Sequence, residues 1–218
     1  MINLTIAIGA LIVAYLLGSV NFAVIIGKIF LGKDVRKEGS GNAGATNVLR
    51  SAGIIPGLLT FLFDAFKGFL ACFIGKQIFE YLSSSVEWDM YNPSVGGYLC
   101  LVCVMLGHVF PIFFGFKGGK AVAVSVGTYA VCCYPAILLG LLAFVVVLLI
   151  SRMVSLSSLV ATVTVVGSSI VFMDFSTPFI PQIICTLLAG TIVFVKHKEN
   201  IIRLKNGTEK KMWKGKAK

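Results

Sequence analysis

Long apolar runs alternate with short polar breaks along nearly the whole chain. A helix needs about 20 apolar residues to cross about 30 Å of hydrocarbon. The runs divide into seven such spans, at residues 3–28, 57–79, 95–114, 121–134, 136–150, 159–173 and 183–195. The last has an alternative start at Phe179. The fourth and fifth are short and meet at Pro135, so they form either a tight hairpin or a tilted, thinly covered pair. Near the end of the first span, Gly18, Ser19 and Asn21 are small enough for close helix contact. In the second, Asp64 and Lys67 lie three apart and share a helical face. An unpaired charge at that depth costs about 2.5–3.5 kcal/mol on insertion scales, so the two are expected to neutralise each other inside the bundle.

Composition agrees with this pattern. The 218 residues are 57% hydrophobic and 13% charged, which leaves room for several spans and little else. The expected fold is an all-α integral membrane protein, a single domain over residues 1–218 with a short basic tail from about 206. The start Met1-Ile2-Asn3 has no basic residue, and the first run reaches Phe30 without a clear cleavage site, so a removable signal peptide is not expected. All six cysteines (Cys72, Cys100, Cys103, Cys132, Cys133 and Cys185) fall within apolar runs. Cys100 and Cys103 form a CxxC, but no histidine or second pair stands at zinc-ligand spacing. The six read as packing residues rather than metal ligands or disulfides.

The net charge of +10 raises the question of nucleic acid, but its placement assigns it to topology. Of 19 lysines and arginines, all except Lys67 and Lys76 fall in the breaks at 28–50, 117–120 and 152, or from 196 onward. The opposite breaks, 80–93 and 174–181, hold only the acids Glu80, Glu87, Asp89 and Asp174. Trp88 and Tyr91 mark the first of these as interfacial. Seven spans then place the N-terminus outside and the C-terminus in the cytoplasm.

Four breaks share the cytoplasmic face, and every glycine-rich or histidine-bearing segment lies in one of them, which argues for a single site. The first is GSGNAGATNVLR, residues 39–50. Gly39, Gly41 and Gly44 let the backbone approach a ligand closely. Ser40, Asn42, Thr46 and Asn47 add donors and acceptors, and Arg50 adds a fixed fork suited to phosphate or carboxylate. Successive N–H groups there can form a nest for phosphate oxygens. The spacing also satisfies G-x-G-x-x-G, but a membrane helix rather than a strand precedes it, so a dinucleotide site is rejected.

The second segment is GFKGGK, residues 115–120, which lacks P-loop spacing. Gly118 and Gly119 are nevertheless expected to open the N-terminus of the fourth helix, where free N–H groups favour anions, beside the point charge of Lys120. In the third break, Ser155, Ser157 and Ser158 suit helix caps, and Arg152 reads as a topology marker. In the fourth, Lys196 and Lys198 flank His197, which disfavours its charged form and suits a neutral hydrogen-bonding role. His108 reads as a packing or capping residue. Five residues after the two histidines stand Phe113 and Ile202, so the His-x-x-x-x-Asp motif of the soluble-cofactor acyltransferases is absent.

Side by side, GSGNAGATN (39–47) with Arg50, GHVFPIFFGFKGGKAVA (107–123), RMVSLSS (152–158) and KHKEN (196–200) resemble the bacterial membrane acyl-phosphate:glycerol-3-phosphate acyltransferases, the PlsY family. The likeness runs to about residue 205. It implies seven helices with an outside N-terminus, in the inner (plasma) membrane, with the site on the cytoplasmic face. The implied reaction moves a fatty acyl group from acyl phosphate to the 1-hydroxyl of glycerol 3-phosphate, giving lysophosphatidic acid and phosphate. This is the first acylation of bacterial phospholipid synthesis, using no metal, no cofactor, and neither acyl-CoA nor acyl-carrier protein directly. The implied partners are glycerol 3-phosphate, acyl phosphate and membrane lipid, not nucleic acid. Catalytic roles are implied for Ser40, Arg50, Lys120, Ser155 and His197. Substrate contacts are expected from Gly41, Asn42, Gly44, Thr46, Asn47, Gly118, Gly119 and Asn200.

The chemistry is compatible with these residues. Acyl phosphate is a mixed anhydride with an activated carbonyl, so a covalent acyl-enzyme is not required. Arg50 and Lys120 would clamp phosphates, position the substrates and stabilise the departing anion. Two proton acceptors stand open, His197 and the acyl phosphate's own oxygen; the second is preferred, with Ser155 and His197 orienting the hydroxyl. A transporter of a small phosphorylated anion is the alternative, although such proteins commonly bind near the midplane between repeated halves. A scaffold touching anionic lipid explains the lysines but not the paired glycine loops.

Overall fold

The computed structural model describes residues 2–84 and 89–213. Trp88 and residues 214–218, including the end of the basic tail, lie outside them. The described chain is helical, without strands: α1 (Ile2–Ser19), α2 (Phe22–Leu31), α3 (Ala45–Ala52), α4 (Ile54–Ser83), α5 (Pro93–Val109), α6 (Val122–Cys132), α7 (Tyr134–Ser151), α8 (Val154–Val171), α9 (Phe179–Lys196) and α10 (Lys198–Lys205).

Polarity is inverted relative to a water-soluble protein. Buried positions include Asp64, Lys67, Thr60, Thr128, Ser169 and Gln182, while the outer surface carries Leu142, Leu149, Ile150, Val163 and Ile184. An apolar exterior around a polar interior is stable only where hydrocarbon replaces water. Among the described residues, six helical segments are long and apolar enough to cross a membrane: 2–31, 54–83, 93–114, 134–151, 154–171 and 179–196. The predicted fourth span is instead the 11-residue α6, about 16 Å long at 1.5 Å per residue. It packs along α4 while α7 pairs with α8, so α6 and α7 are not a tight hairpin. Reciprocal glycines bring α4 and α6 together. A Cβ on Gly68 would lie 2.4 Å from the Val124 carbonyl oxygen, and one on Gly127 only 1.7 Å from that of Ala65.

The first apolar run is broken at Val20–Asn21, where Asn21 caps α2 by accepting from the Val24 N–H at 3.2 Å. A break at this depth frees carbonyls that no water can reach. Lys67 takes two of them: its Nζ donates to Gly18 O at 3.0 Å and to Val20 O at 2.6 Å. The same Nζ lies 2.9 Å from Asp64 Oδ1 and 3.1 Å from His108 Nδ1. The Asp64–Lys67 pair thus faces the interior, as their spacing predicts, and also holds the kink. Gly18 allows the close contact expected of it, since a Cβ there would meet the Val104 carbonyl at 2.2 Å.

Two boundaries differ from expectation. The polar break before the sixth span shrinks to Arg152–Met153, because α8 already begins at Val154. Ser157 and Ser158 therefore do not cap; their hydroxyls donate back to the Met153 and Val154 carbonyls at 2.9 and 2.8 Å. The seventh span takes the earlier start, at Phe179.

Candidate active site

Loop 1, residues 38–44, is closed by Asn47 from the first turns of α3. Its Oδ1 accepts from the Ser40 N–H at 2.8 Å, and its Nδ2 donates to Val35 O and Glu38 O at 2.8 and 3.0 Å. Positive φ at Gly39 (61°) and Gly41 (72°) makes the turn possible, and only glycine adopts it without strain. Asn47 lines the cavity described below, and its amide also holds the loop through these backbone bonds. Arg36, read from the sequence as part of a basic turn, ties this loop to the next. Its guanidinium is paired with Asp34 at 2.7 Å and donates to Phe114 O at 2.7 Å and Lys117 O at 3.1 Å.

Loop 2, residues 110–121, carries the second glycine segment. The Gly118 and Gly119 N–H groups donate to Val109 O and His108 O, both at 3.2 Å. They are not free for an anion, and neither glycine lines the cavity; α6 starts only at Val122. The expectation for Gly118 and Gly119 is corrected accordingly. What requires glycine is proximity: a Cβ on Gly118 would meet the His108 carbonyl oxygen at 1.9 Å, and one on Gly119 would meet His108 Nε2 at 2.3 Å and Ala43 O at 2.5 Å. Loops 1 and 2 thereby touch, and Lys120 is delivered beside α10.

The remaining groups come from α8, the α9–α10 junction and the tail. His197 ends α9 with Nδ1 2.8 Å from Val193 O, which assigns the proton to Nδ1 and leaves Nε2 as an acceptor. Burial, then the Lys120 charge, pushes His197 down to about 4. Lys120 donates to Asn200 Oδ1; burial, then Arg203, pulls it down to about 8. Glu209, in the tail, accepts from Ser155 Oγ at 2.9 Å, Asn200 Nδ2 at 2.7 Å and Arg203 Nε at 2.8 Å. Burial alone would raise this carboxyl, but the hydrogen bonds from Arg203, Asn200 and Ser155 outweigh it and hold it below its ordinary value.

These segments enclose one cavity of about 560 Å³. Ser40, Arg50, Lys120, Ser155 and His197 all line it, together with Gly41, Asn42, Gly44, Thr46 and Asn200. Among the described residues, the Ser40 and Thr46 hydroxyls and the Arg50 guanidinium have no partner. The other end runs between α6, α7, α8 and α9 past Tyr129, Ile137, Phe144, Ala161, Val165 and Ala189. Asp64, His108, Arg203 and Glu209 also line it. Sequence reasoning gave none of these a functional role. The one available signal was that Glu209 is the sole acid among the basic residues that follow Glu199.

Fold and cavity define a class: an integral membrane protein of helices enclosing a chamber that is cationic at one end and apolar at the other. The chain belongs to the glycerol-3-phosphate acyltransferase family, whose model matches residues 8–207. It is 40% identical over 202 residues to "Glycerol-3-phosphate acyltransferase 2" of Bacillus anthracis, covering 93% of this chain and 97% of that one. It is 39% identical to the glycerol-3-phosphate acyltransferase of Clostridioides difficile over 92% of this chain and 93% of that one. Its fold matches the crystal structure of PlsY (YgiH), an integral membrane glycerol 3-phosphate acyltransferase, in its glycerol 3-phosphate form. That match has a TM-score of 0.80 and 35% identity over 94% of each chain. The lysophosphatidic acid form matches with a TM-score of 0.78 at 34% identity, again over 94% of each chain.

Proposed function

We propose that the protein transfers a fatty acyl group from acyl phosphate to the 1-hydroxyl of glycerol 3-phosphate, releasing lysophosphatidic acid and inorganic phosphate. The observation that carries this reading is the two-ended cavity. Arg50, without a partner among the described residues, and Lys120, held by the Asn200 amide oxygen, suit phosphate groups at the polar end, and the apolar end between α6 and α9 suits an acyl chain. The site then lies at the cytoplasmic face of the bacterial inner membrane. The N-terminus is outside and α6 is the short fourth of seven spans, since the basic segments 28–50, 117–120, 152 and 196 onward share one side.

Glycerol 3-phosphate places its phosphate on the Arg50 fork and the Ser40 and Thr46 hydroxyls, with Asn42 and the Gly41 and Gly44 backbone alongside. Lys120 holds the phosphate of the donor and stabilises it as it leaves. The glycerol hydroxyl attacks the activated carbonyl directly; the C–O bond to phosphate breaks as the new ester forms, with no acyl-enzyme. A histidine held at about 4 is neutral at pH 7 but a weak base. His197 Nε2 and Ser155 Oγ therefore orient the glycerol hydroxyls as acceptors before attack, and the departing phosphate takes the proton of the attacking hydroxyl. Family membership argues against the transporter alternative.

The test is purified protein in detergent, given glycerol 3-phosphate and one donor at a time. Lysophosphatidic acid forming from acyl phosphate but not from acyl-CoA or acyl-carrier protein is the expected result. Transfer only from a thioester donor overturns the donor assignment.

A further inference from the structure

Glu209 stands two residues beyond the end of the family-model match at 207, yet its carboxylate sits in the wall of the cavity with only 6% of the side chain exposed. The chain reaches it by leaving α10 at Lys205 and turning back, and the Met212 N–H closes the turn on Arg152 O at 2.6 Å. We infer that Glu209 is a positioning residue of the acyl-transfer site, setting which way the polar groups of Ser155 and Asn200 face.

The argument is one of donors and acceptors. An ionised carboxylate only accepts. Ser155 has a single hydroxyl proton, and it goes to Glu209 Oε1 at 2.9 Å, so the oxygen lone pairs are what Ser155 offers the cavity. A serine in that state accepts a hydrogen bond from a substrate hydroxyl and does not compete for the phosphate. Asn200 gives its Nδ2 to the same Oε1 at 2.7 Å, which fixes the amide so that Oδ1 faces Lys120 Nζ. Arg203 completes the set on Oε2 at 2.8 Å. One carboxylate thus orients a hydroxyl acceptor and, through Asn200, the ammonium.

A competing reading makes Glu209 an internal anion seated where a phosphate belongs, so that the tail inhibits. The pairing speaks against it. Neither phosphate-clamping cation is taken by Glu209: Lys120 is bonded to Asn200, and Arg50 has no partner among the described residues. A plug would sit on both.

The inference rests on the proposed reaction, so the test pairs kinetics with a readout that needs no acyl donor. Glu209→Gln leaves one acceptor oxygen where there were two, so either the Ser155–Asn200 pair or Arg203 loses its acceptor and meets a donor. With acyl phosphate as donor, kcat is expected to fall at least about tenfold, since misplacing a positioning group by about 1 Å can cost about 10²-fold. The second readout is the pH dependence of inorganic phosphate binding by calorimetry, with glycerol 3-phosphate saturating, because Lys120 holds the phosphate that leaves. The charged groups facing Lys120 are Arg203 and Glu199 on α10, Lys196 at the end of α9, Glu209 in the tail, and Arg50 and Lys210 across the cavity, with His197 neutral beside them. Removing the one negative charge at Glu209 leaves Arg203 and Lys196 less opposed, so binding is lost at lower pH than in the wild type. A destabilised but otherwise equivalent site does not move that midpoint.

Glu209→Asp keeps the charge but draws the carboxylate back by one methylene. It is expected to lose kcat with the binding midpoint in place, and it carries the test if Glu209→Gln does not fold. Unchanged kcat in either variant overturns the inference. Tighter glycerol 3-phosphate binding in Glu209→Asp, where the charge is unchanged, also overturns it, in favour of the inhibitory tail. A wild type inactive with acyl phosphate, but whose binding midpoint still shifts on Glu209→Gln, sinks the proposed donor and leaves the positioning role standing.

Discussion

Protonation states divide the work inside the cavity. His197 is held neutral by burial and by the Lys120 charge at about 4, so it supplies an acceptor nitrogen rather than a strong base. His197→Gln keeps an amide donor for Val193 O and an acceptor for the substrate. Activity should drop by no more than about tenfold, against the 10²–10⁴ that removal of a general base costs; initial-rate assays decide it, and a loss at the upper end restores histidine as base. Lys120, pulled down to about 8, is cationic below that value and loses its charge above it. The value of kcat/KM for glycerol 3-phosphate should therefore fall as pH rises through about 8. In Lys120→Arg, whatever activity survives should lose that limb, because a guanidinium does not titrate there. A limb that persists in the variant assigns it to another group.

At the level of elements, α4 is the strut of the bundle, and Lys67 is where it bears. One ammonium caps the carbonyls of Gly18 and Val20, pairs with Asp64 and reaches His108. Lys67→Met leaves a buried carboxylate and two buried carbonyls unsatisfied. Breaking a buried pair from one side costs about 3–5 kcal/mol, so thermal unfolding in detergent should shift down by several degrees or more; an unchanged Tm contradicts this role.

The Asp64–Lys67 face was legible in the sequence because helical spacing alone puts residues three apart together. The kink at Asn21 was not, since an asparagine cap inside an apolar run is stable only once Lys67 is known to reach the freed carbonyls. Gly118 and Gly119 were misjudged for a related reason. Glycine pairs signal backbone freedom, but here they signal contact with His108 and Ala43, which no local pattern reveals. That Arg50, Lys120, Ser155 and His197 share one cavity was legible because each sits beside a break in hydrophobicity on the same predicted face, while their proposed roles came from the resemblance. Glu209 escaped because its partners lie 54, 9 and 6 positions away.

Taken whole, the molecule is a lipid-facing shell around one chamber that joins a water-accessible chemistry to an apolar one. The apolar end should measure the acyl chain. Ala161→Phe places a ring in it, and each methylene then excluded removes about 0.8 kcal/mol of binding, roughly fourfold per carbon. Chain preference should shorten with KM for glycerol 3-phosphate unchanged; an unaltered chain-length profile places the acyl group elsewhere.

The central claim is that both ends belong to one site, and equilibrium binding of labelled lysophosphatidic acid tests it most directly. The product carries the phosphate of one substrate and the chain of the other. Glycerol 3-phosphate and a non-hydrolysable acyl phosphonate, added separately, should each displace it fully. Lysophosphatidic acid that glycerol 3-phosphate cannot displace would mean that the cationic end and the apolar end serve different ligands, and the account fails.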